Sequence, residues 1–451
     1  MSPPVFKIEG RFSEKKERNF SFLSNYAGIE NLGARIYDVI LENKSGRSVA
    51  YKKLVEGEFL AENDFSAFEY KIKLDVSKQM SAHVSWFSGE HGILMLNDLL
   101  PLSKDKSAAK ITLEIPSTLR ISTNERQIST NVFEVFDAEK AIFLVGKNIR
   151  EKEFSVNNTK LKLAISGEFI FTDEQALESA SEIFTEYQKL FGVIPNEKAR
   201  IIVVRLPSDV KFGRWEAETR GANITIISAD MPFDTQSRQR LHEQLRHEIF
   251  HLWMPNNLNL SGNYDWFYEG FALYQSLRSG IQLNKLRFND FLDTLARAHS
   301  IDSLQTQKNS LIAASNNRWN GANTQIYARG MLIAFLIDIT ILRESKGKKS
   351  LDDVLREVYQ KHNNSNPRTD GSGAILKILQ NTKDLQMIIE KYIKGSEIIS
   401  WQNDLKLVGI ESTEENFNTK LSIKEKPNGR EKDLLDKLGY NNWRKLSQKP
   451  K

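Results

Sequence analysis

Residues Arg240 to Tyr274 read RLHEQLRHEIFHLWMPNNLNLSGNYDWFYEGFALY. Within them, His247-Glu248-Ile249-Phe250-His251 is an HExxH motif. Residues four apart on a helix lie one above the other, so both imidazoles point to one side. Two such imidazoles can chelate Zn²⁺, and Glu248, beside the first, can act on a water at the metal. Ile249, Phe250, Leu252 and Trp253 make this helix read as buried. Unpaired polar groups are costly inside a protein, so a buried His pair beside a Glu needs a reason. A catalytic zinc takes three protein ligands and keeps one position open. Glu269, with 17 residues between it and His251, stands in the largely apolar stretch Asp265-Trp266-Phe267-Tyr268-Glu269-Gly270-Phe271-Ala272. A lone carboxylate there is expensive unless it is paired or bound to a metal.

The composition agrees with that ligand set. The chain has 451 residues, seven His and no Cys. The absence of Cys excludes a disulfide framework, a thiolate metal site and a Cys nucleophile, so any metal must be held by His and carboxylates. An apolar share of 40% with 27% charged residues reads as globular. The net charge of +5 belongs to the C-terminal end. Lys420 to Lys451 hold ten Lys/Arg against four Asp/Glu, or +6, which leaves 5 − 6 = −1 for the rest. The body is therefore not a basic surface, and no interleaved basic–aromatic motif suggests nucleic-acid binding. The basic tail is expected to be solvated and frayed. The longest apolar run, Met331 to Leu342, is interrupted by Asp338 and too short to cross a bilayer, so a buried helix is expected and no integral membrane segment.

Outward from the motif, the pattern changes along the chain. Residues 1–165 read as an N-terminal β domain, a sandwich or saddle-like sheet. Runs such as Phe68 to Leu74, Lys110 to Ile115, Ala141 to Val145 and Lys160 to Ile165 are separated by turn-rich breaks, Leu102 to Ala108 among them. Residues 166–280 read as an α+β lobe. Thr172 with Gln175 caps a helix over 176–190, and RIIVVR at 200–205 and 223–228 are buried strands. Helices are expected at 238–253, 265–279, 285–299, 323–344, 350–362 and 384–394. Residues 281–410 thus form a helical part and 411–451 the tail. The fold class is multidomain α+β.

Together, HExxHxW, a loop and WxxEGFAxY resemble the gluzincin metallopeptidases. They are similar to aminopeptidase N-type enzymes, and more closely to the glycyl aminopeptidases, which often carry a PDZ domain. Tyr327-Ala328-Arg329-Gly330 and the apolar run after it resemble the family's Tyr-x-Lys-Gly helix. Ser350 to Val354, Lys391 to Gly395, Val408 to Ile410 and the end of the β domain at Asn97 to Pro116 also match, so the likeness covers about residues 60 to 410. It implies a thermolysin-like catalytic lobe with one zinc on His247, His251 and Glu269. Glu248 would be the general base and then the proton donor to the leaving amine. Tyr327 would stabilise the oxyanion. The carboxylate that holds a substrate's α-amine would be Glu216, or second Glu218, in Gly213 to Gly221, which matches neither GxMEN nor GGxEH cleanly. The spacing from motif to Glu269 is one residue short of the usual, and some 40 residues after 410 are too few for a PDZ domain.

The resemblance points to a zinc aminopeptidase for small N-terminal residues, with a peptide or protein as its partner. A zinc endopeptidase on the same fold and a non-catalytic peptide-binding scaffold remain open alternatives. The N-terminus has no apolar leader; either the protein is cytosolic or it is an exported one whose signal is missing from this sequence. The other His get bland readings: His242 as a surface side chain, His83 and His91 as surface or satisfied side chains, and His299 and His362 near helix C-termini. Trp253 is expected to pack, and Asp338 to hold a structural hydrogen bond.

Overall fold

The computed structural model describes residues 4–12, 17–74, 80–102, 108–207, 210–305 and 308–442. Most of the break at 102–108 and the end of the tail fall outside them. The chain divides into two compact units, Met1–Leu177 with Asn196–Arg240, and Glu178–Pro195 with Leu241–Lys451.

The first unit starts as small antiparallel sheets. Val5–Arg11, Ala67–Lys73 and Ile36–Glu42 form one, and Arg120–Ser122, Ile142–Gly146, His91–Met95 and Trp86–Phe87 another. The alternating sequence supplies their inner faces. Phe20, Phe22, Phe59, Phe65, Phe68 and Tyr70 share one aromatic core, several in edge-to-face contact, as Phe20 and Phe22 are at 4.8 Å.

A further sheet in this unit combines β1 (Ile149–Val156), β2 (Thr159–Ser166), β3 (Lys198–Arg205), β4 (Trp215–Arg220) and β5 (Asn223–Ser228) in the order β1-β2-β3-β5-β4. The two continuous apolar runs are its centre: β3 pairs in parallel with both β2 and β5. A parallel strand covered on both faces needs such a run rather than an alternation. The last strand expected in the β domain, Lys160 to Ile165, belongs to this mixed sheet. β4 closes it antiparallel, as an edge strand. Between β2 and β3 the chain runs through helix α1 (Asp173–Phe191). Its capping box is the expected one: Gln175 N–H donates to Thr172 Oγ1 at 3.2 Å and Thr172 N–H to Gln175 Oε1 at 2.8 Å.

Helix α2 (Asp234–Phe250) carries the chain into the second unit from Leu241. Next come α3 (Asp265–Gln282), α4 (Phe288–Leu304), α5 (Asn323–Glu344) and α6 (Leu351–His362). By length and composition α5 could cross a membrane, but 94% of its most apolar window is buried inside the protein, so it is the core helix expected. It crosses α3 at two glycines. A Cβ on Gly270 would lie 2.5 Å from Gly330 Cα, and one on Gly330 2.8 Å from the Trp266 carbonyl oxygen. The Gly after Glu269 and the Gly three residues after Tyr327 thus let the two backbones touch.

Asp338, buried in α5, accepts from Tyr274 Oη at 2.6 Å and from the Leu351 N–H at 2.8 Å, the first turn of α6. The Ser350/Asp353 capping box of α6 is present. Trp253 packs against Phe191, ring centroids 5.4 Å apart, and donates to the Val193 carbonyl.

The tail differs from expectation. β6 (Ile410–Glu415) and β7 (Asn418–Ile423) form a hairpin, and α7 (Gly429–Lys437) follows with an Asn428/Glu431 capping box. Leu434 and Leu435 are buried. Lys420 on β7 and Arg430, Lys432 and Lys437 on α7 are exposed. His299 also departs from expectation: it lies inside α4, buried, stacked on Trp401 at 4.3 Å and 2.8 Å from Thr419 Oγ1.

Candidate metal centre

All residues of the candidate centre belong to the second unit. α2 carries His247 and Glu248 and ends at Phe250, earlier than the expected 253. The next amides donate three residues back, His251 to the Glu248 carbonyl and Leu252 to that of Ile249. This tighter turn still keeps His251 over His247, with the two Nε2 atoms 3.1 Å apart. His251 Nδ1 lies 2.8 Å from the Met254 carbonyl oxygen. Its N–H donates there, which leaves the Nε2 lone pair facing His247.

Glu269 arrives on α3. Its Oε2 is 3.2 Å from His247 Nε2 and 3.5 Å from His251 Nε2, and all three side chains are buried. Donors about 2.0–2.1 Å from a tetrahedral zinc stand about 3.3 Å from one another. The separations of 3.1, 3.2 and 3.5 Å bracket that figure. Glu269 Oε2 has no hydrogen-bond partner although it is buried, and neither has His247 Nδ1. A bare carboxylate oxygen at the convergence of two imidazole nitrogens is costly. A cation there would satisfy it, so the donor set fits zinc. Among the described residues this is the cluster with metal-ligand geometry.

Glu248 is buried beside the donors, its Oε1 4.0 Å from His247 Nε2. Tyr327, on α5, brings its ring to 6.2 Å from that of His247. Burial and the nearby Glu269 push its hydroxyl well above the usual phenol range, against the pull of Arg318.

Sequence reading missed Arg318. Its Nη1 is 2.9 Å from Glu269 Oε1 and 2.9 Å from Asp265 Oδ1, and its Nη2 donates to Tyr327 Oη at 2.8 Å. Burial alone would raise the Glu269 carboxyl, but Arg318 and the imidazoles outweigh it and hold it well below the usual range. A signal was present. Asp265 and Glu269 are spaced i, i+4, and like charges at that spacing repel unless a cation lies between them.

His242, expected on the surface, is 3% exposed. Its Nε2 is 2.9 Å from Glu182 and its Nδ1 2.6 Å from Arg246 Nη1. Burial lowers its pKa, although Glu182 opposes the shift.

The two proposed amine-binding carboxylates lie on β4 of the first unit. Each faces an arginine. Glu218 is consumed: Oε1 accepts from Tyr26 Oη, Oε2 is 2.7 Å from Arg220, and His83 Nδ1 is 3.6 Å away. Glu216 lies 3.3 Å from Arg214, and the side chains are 32% and 45% exposed.

In sequence, no protein-family model and no curated protein matches the chain. In structure, it is similar to an aminopeptidase N family protein from Idiomarina loihiensis, with TM-score 0.77 at 15% identity over 92% of this chain and 78% of that one. The chain has the fold of that family. An M1 zinc metallopeptidase from Deinococcus radiodurans matches with TM-score 0.52 at 12% identity, over 81% of this chain and 87% of that one. A variant of the Deinococcus enzyme bound to a Tyr-Ser-Ala substrate matches with TM-score 0.54 at 13% identity, over 81% and 88%. The M1-like architecture of a β-rich N-terminal region followed by helices is the α+β fold expected from the sequence.

Proposed function

We propose that this chain is a zinc-dependent peptidase, acting as an aminopeptidase on small N-terminal residues. The observation that carries the reading is the buried His247/His251/Glu269 set, with its bare Oε2 and zinc-compatible separations. A zinc ion held by these residues would polarise the scissile carbonyl and lower the pKa of a water toward about 7. Glu248 then takes the proton of the attacking water and passes it to the leaving amine. The Tyr327 hydroxyl donates to the oxygen on which negative charge develops. A scaffold that only binds peptides has no use for Glu248 in this position.

The exopeptidase part rests on Glu216. Its exposed pairing with Arg214 is worth little, so a substrate ammonium can compete for it. Glu218 is fully engaged and is not available in the same way. The preference for small residues is taken from the likeness to glycyl aminopeptidases. The specific support for the endopeptidase alternative is that neither β4 carboxylate stands without an arginine.

Metal analysis should find about one zinc per chain; none under metal-replete conditions ends the peptidase reading. Glu248→Gln should keep the zinc and lose about 10²–10⁴-fold in kcat. A panel of aminoacyl reporters against N-blocked peptides then separates the two specificities. Cleavage of blocked peptides alone would rule out the role of Glu216.

A further inference from the structure

Arg318 occupies an unusual place in the chain. It opens a π-helical turn, Arg318–Ala322, just ahead of α5. The turn breaks at Asn320 and at Gly321, whose φ is 97°. Such turns inside helical segments are frequent at functional sites. The break lets Arg318 face the same point as Tyr327, nine residues later, where an unbroken helix would not. Trp319 lies over the guanidinium at 4.4 Å and the Tyr327 ring at 5.5 Å. Two aromatic rings thus lie near the guanidinium, neighbours suited to a partly desolvated arginine.

We propose that Arg318 is a positioning residue for the zinc-dependent reaction, acting on both sides of it. The inference rests on the peptidase reading above.

Toward the metal, Arg318 engages Glu269 through Oε1 and leaves Oε2 to face the two imidazoles. The carboxylate is thereby offered by one oxygen, already oriented. The same Nη1 neutralises Asp265, one turn earlier on α3, which also accepts from Tyr268 Oη at 2.7 Å. Without Arg318, two buried carboxylates four residues apart would repel each other.

Toward the substrate, Arg318 donates to the Tyr327 oxygen. A phenol has one proton to give and lone pairs to receive. When Arg318 fills a lone pair, the Tyr327 proton is directed away from the guanidinium. One side chain therefore sets the ligand geometry and the direction of the oxyanion donor together.

The test uses the full chain as wild type, Arg318→Gln, Arg318→Lys, Tyr327→Phe and the Arg318→Gln/Tyr327→Phe double variant. Zinc affinity is read by competition with a chelator of known affinity, and kcat and KM are read at saturating zinc on a peptide reporter. Arg318→Gln should weaken zinc binding about 10–100-fold and lower kcat about 100-fold with KM little changed. Tyr327→Phe should lose kcat but not zinc. In the Tyr327→Phe background, adding Arg318→Gln should cost kcat less than about threefold, because both act through one hydroxyl. A purely structural residue would show no such coupling.

Arg318→Lys should recover much of the zinc affinity by charge and little of the kcat, since a point charge does not reproduce the planar fork. If Arg318→Gln does not fold, as judged by its thermal melt, Arg318→Lys decides: wild-type zinc affinity together with wild-type kcat overturns the proposal. Zinc affinity within about twofold of wild type in Arg318→Gln, or independent multiplying losses in the double variant, overturns it as well. A wild type that binds zinc but cleaves no peptide defeats the peptidase reading, and the zinc arm still judges the hold of Arg318 on Glu269.

Discussion

The two units hold clusters built from the same parts. In the first, Glu218 meets Arg220, Tyr26 and His83. In the second, Glu269 meets Arg318, His247 and His251, with Tyr327 bonded to the same arginine. Composition does not separate them. What separates them is how completely each carboxylate is satisfied. Both oxygens of Glu218 are occupied, one by Tyr26 and one by Arg220. Of the Glu269 oxygens, Oε1 is held by Arg318 while Oε2 is left bare between two imidazoles. A closed cluster stabilises a fold or fixes a strand. An open one keeps a place for something else. The proposed role of Glu269 rests on that difference more than on its neighbours' residue types.

Breaking the open cluster should have the largest effect. Glu269→Gln removes the charged donor, and zinc affinity should fall by more than the about 100-fold typical of losing a supporting partner. Chelator competition reads this directly, and retained affinity would mean that the bare Oε2 is not a ligand.

Breaking the closed cluster should act on stability instead. Glu218→Gln leaves the buried Arg220 charge without its partner, which costs about 3 kcal/mol. Denaturant melts should show the loss with zinc affinity unchanged. If zinc binding fell and stability held, the contrast between the two clusters would be wrong.

The smallest expected effect lies away from both. Burial, with Asp137 adding and Arg200 opposing, raises Glu125 to about 7 from a usual 4.5. The folded pKa is above the unfolded one, so this group's contribution is fully present below pH 4.5 and is lost as pH rises through 7. Glu125→Gln should therefore raise Tm modestly at pH 8 and leave it unchanged at pH 4. An equal shift at both pH values would remove burial of the carboxyl as the cause.

Much of the site is legible in the amino-acid sequence. The i, i+4 spacing of His247 and His251 is a statement about one helix turn, and helix geometry alone puts both rings on one side. Glu269 is conspicuous because a lone carboxylate among aromatics is expensive. The capping boxes at Thr172 and Ser350 are legible because they are satisfied within four residues. His242 is not, because its burial depends on Glu182, 60 positions away. The order of the tail escapes a charge count, which does not register that Leu434 and Leu435 are buried on one helix. Arg318 sits in a turn whose path depends on Gly321, and nothing in its neighbours names Glu269, 49 positions earlier, as its partner.

The sequence by itself determined the candidate ligand set, the Glu248 beside it and the buried character of α5, because each follows from local spacing or from the cost of burying a particular side chain. Only the tertiary structure decided which of the Arg-paired glutamates is open, which arginine orients Glu269 and Tyr327, and that α3 and α5 meet at Gly270 and Gly330. The physical reason is range. Helix geometry fixes neighbours within a turn, whereas satisfaction of a buried charge is settled by whichever distant segment packing brings to it.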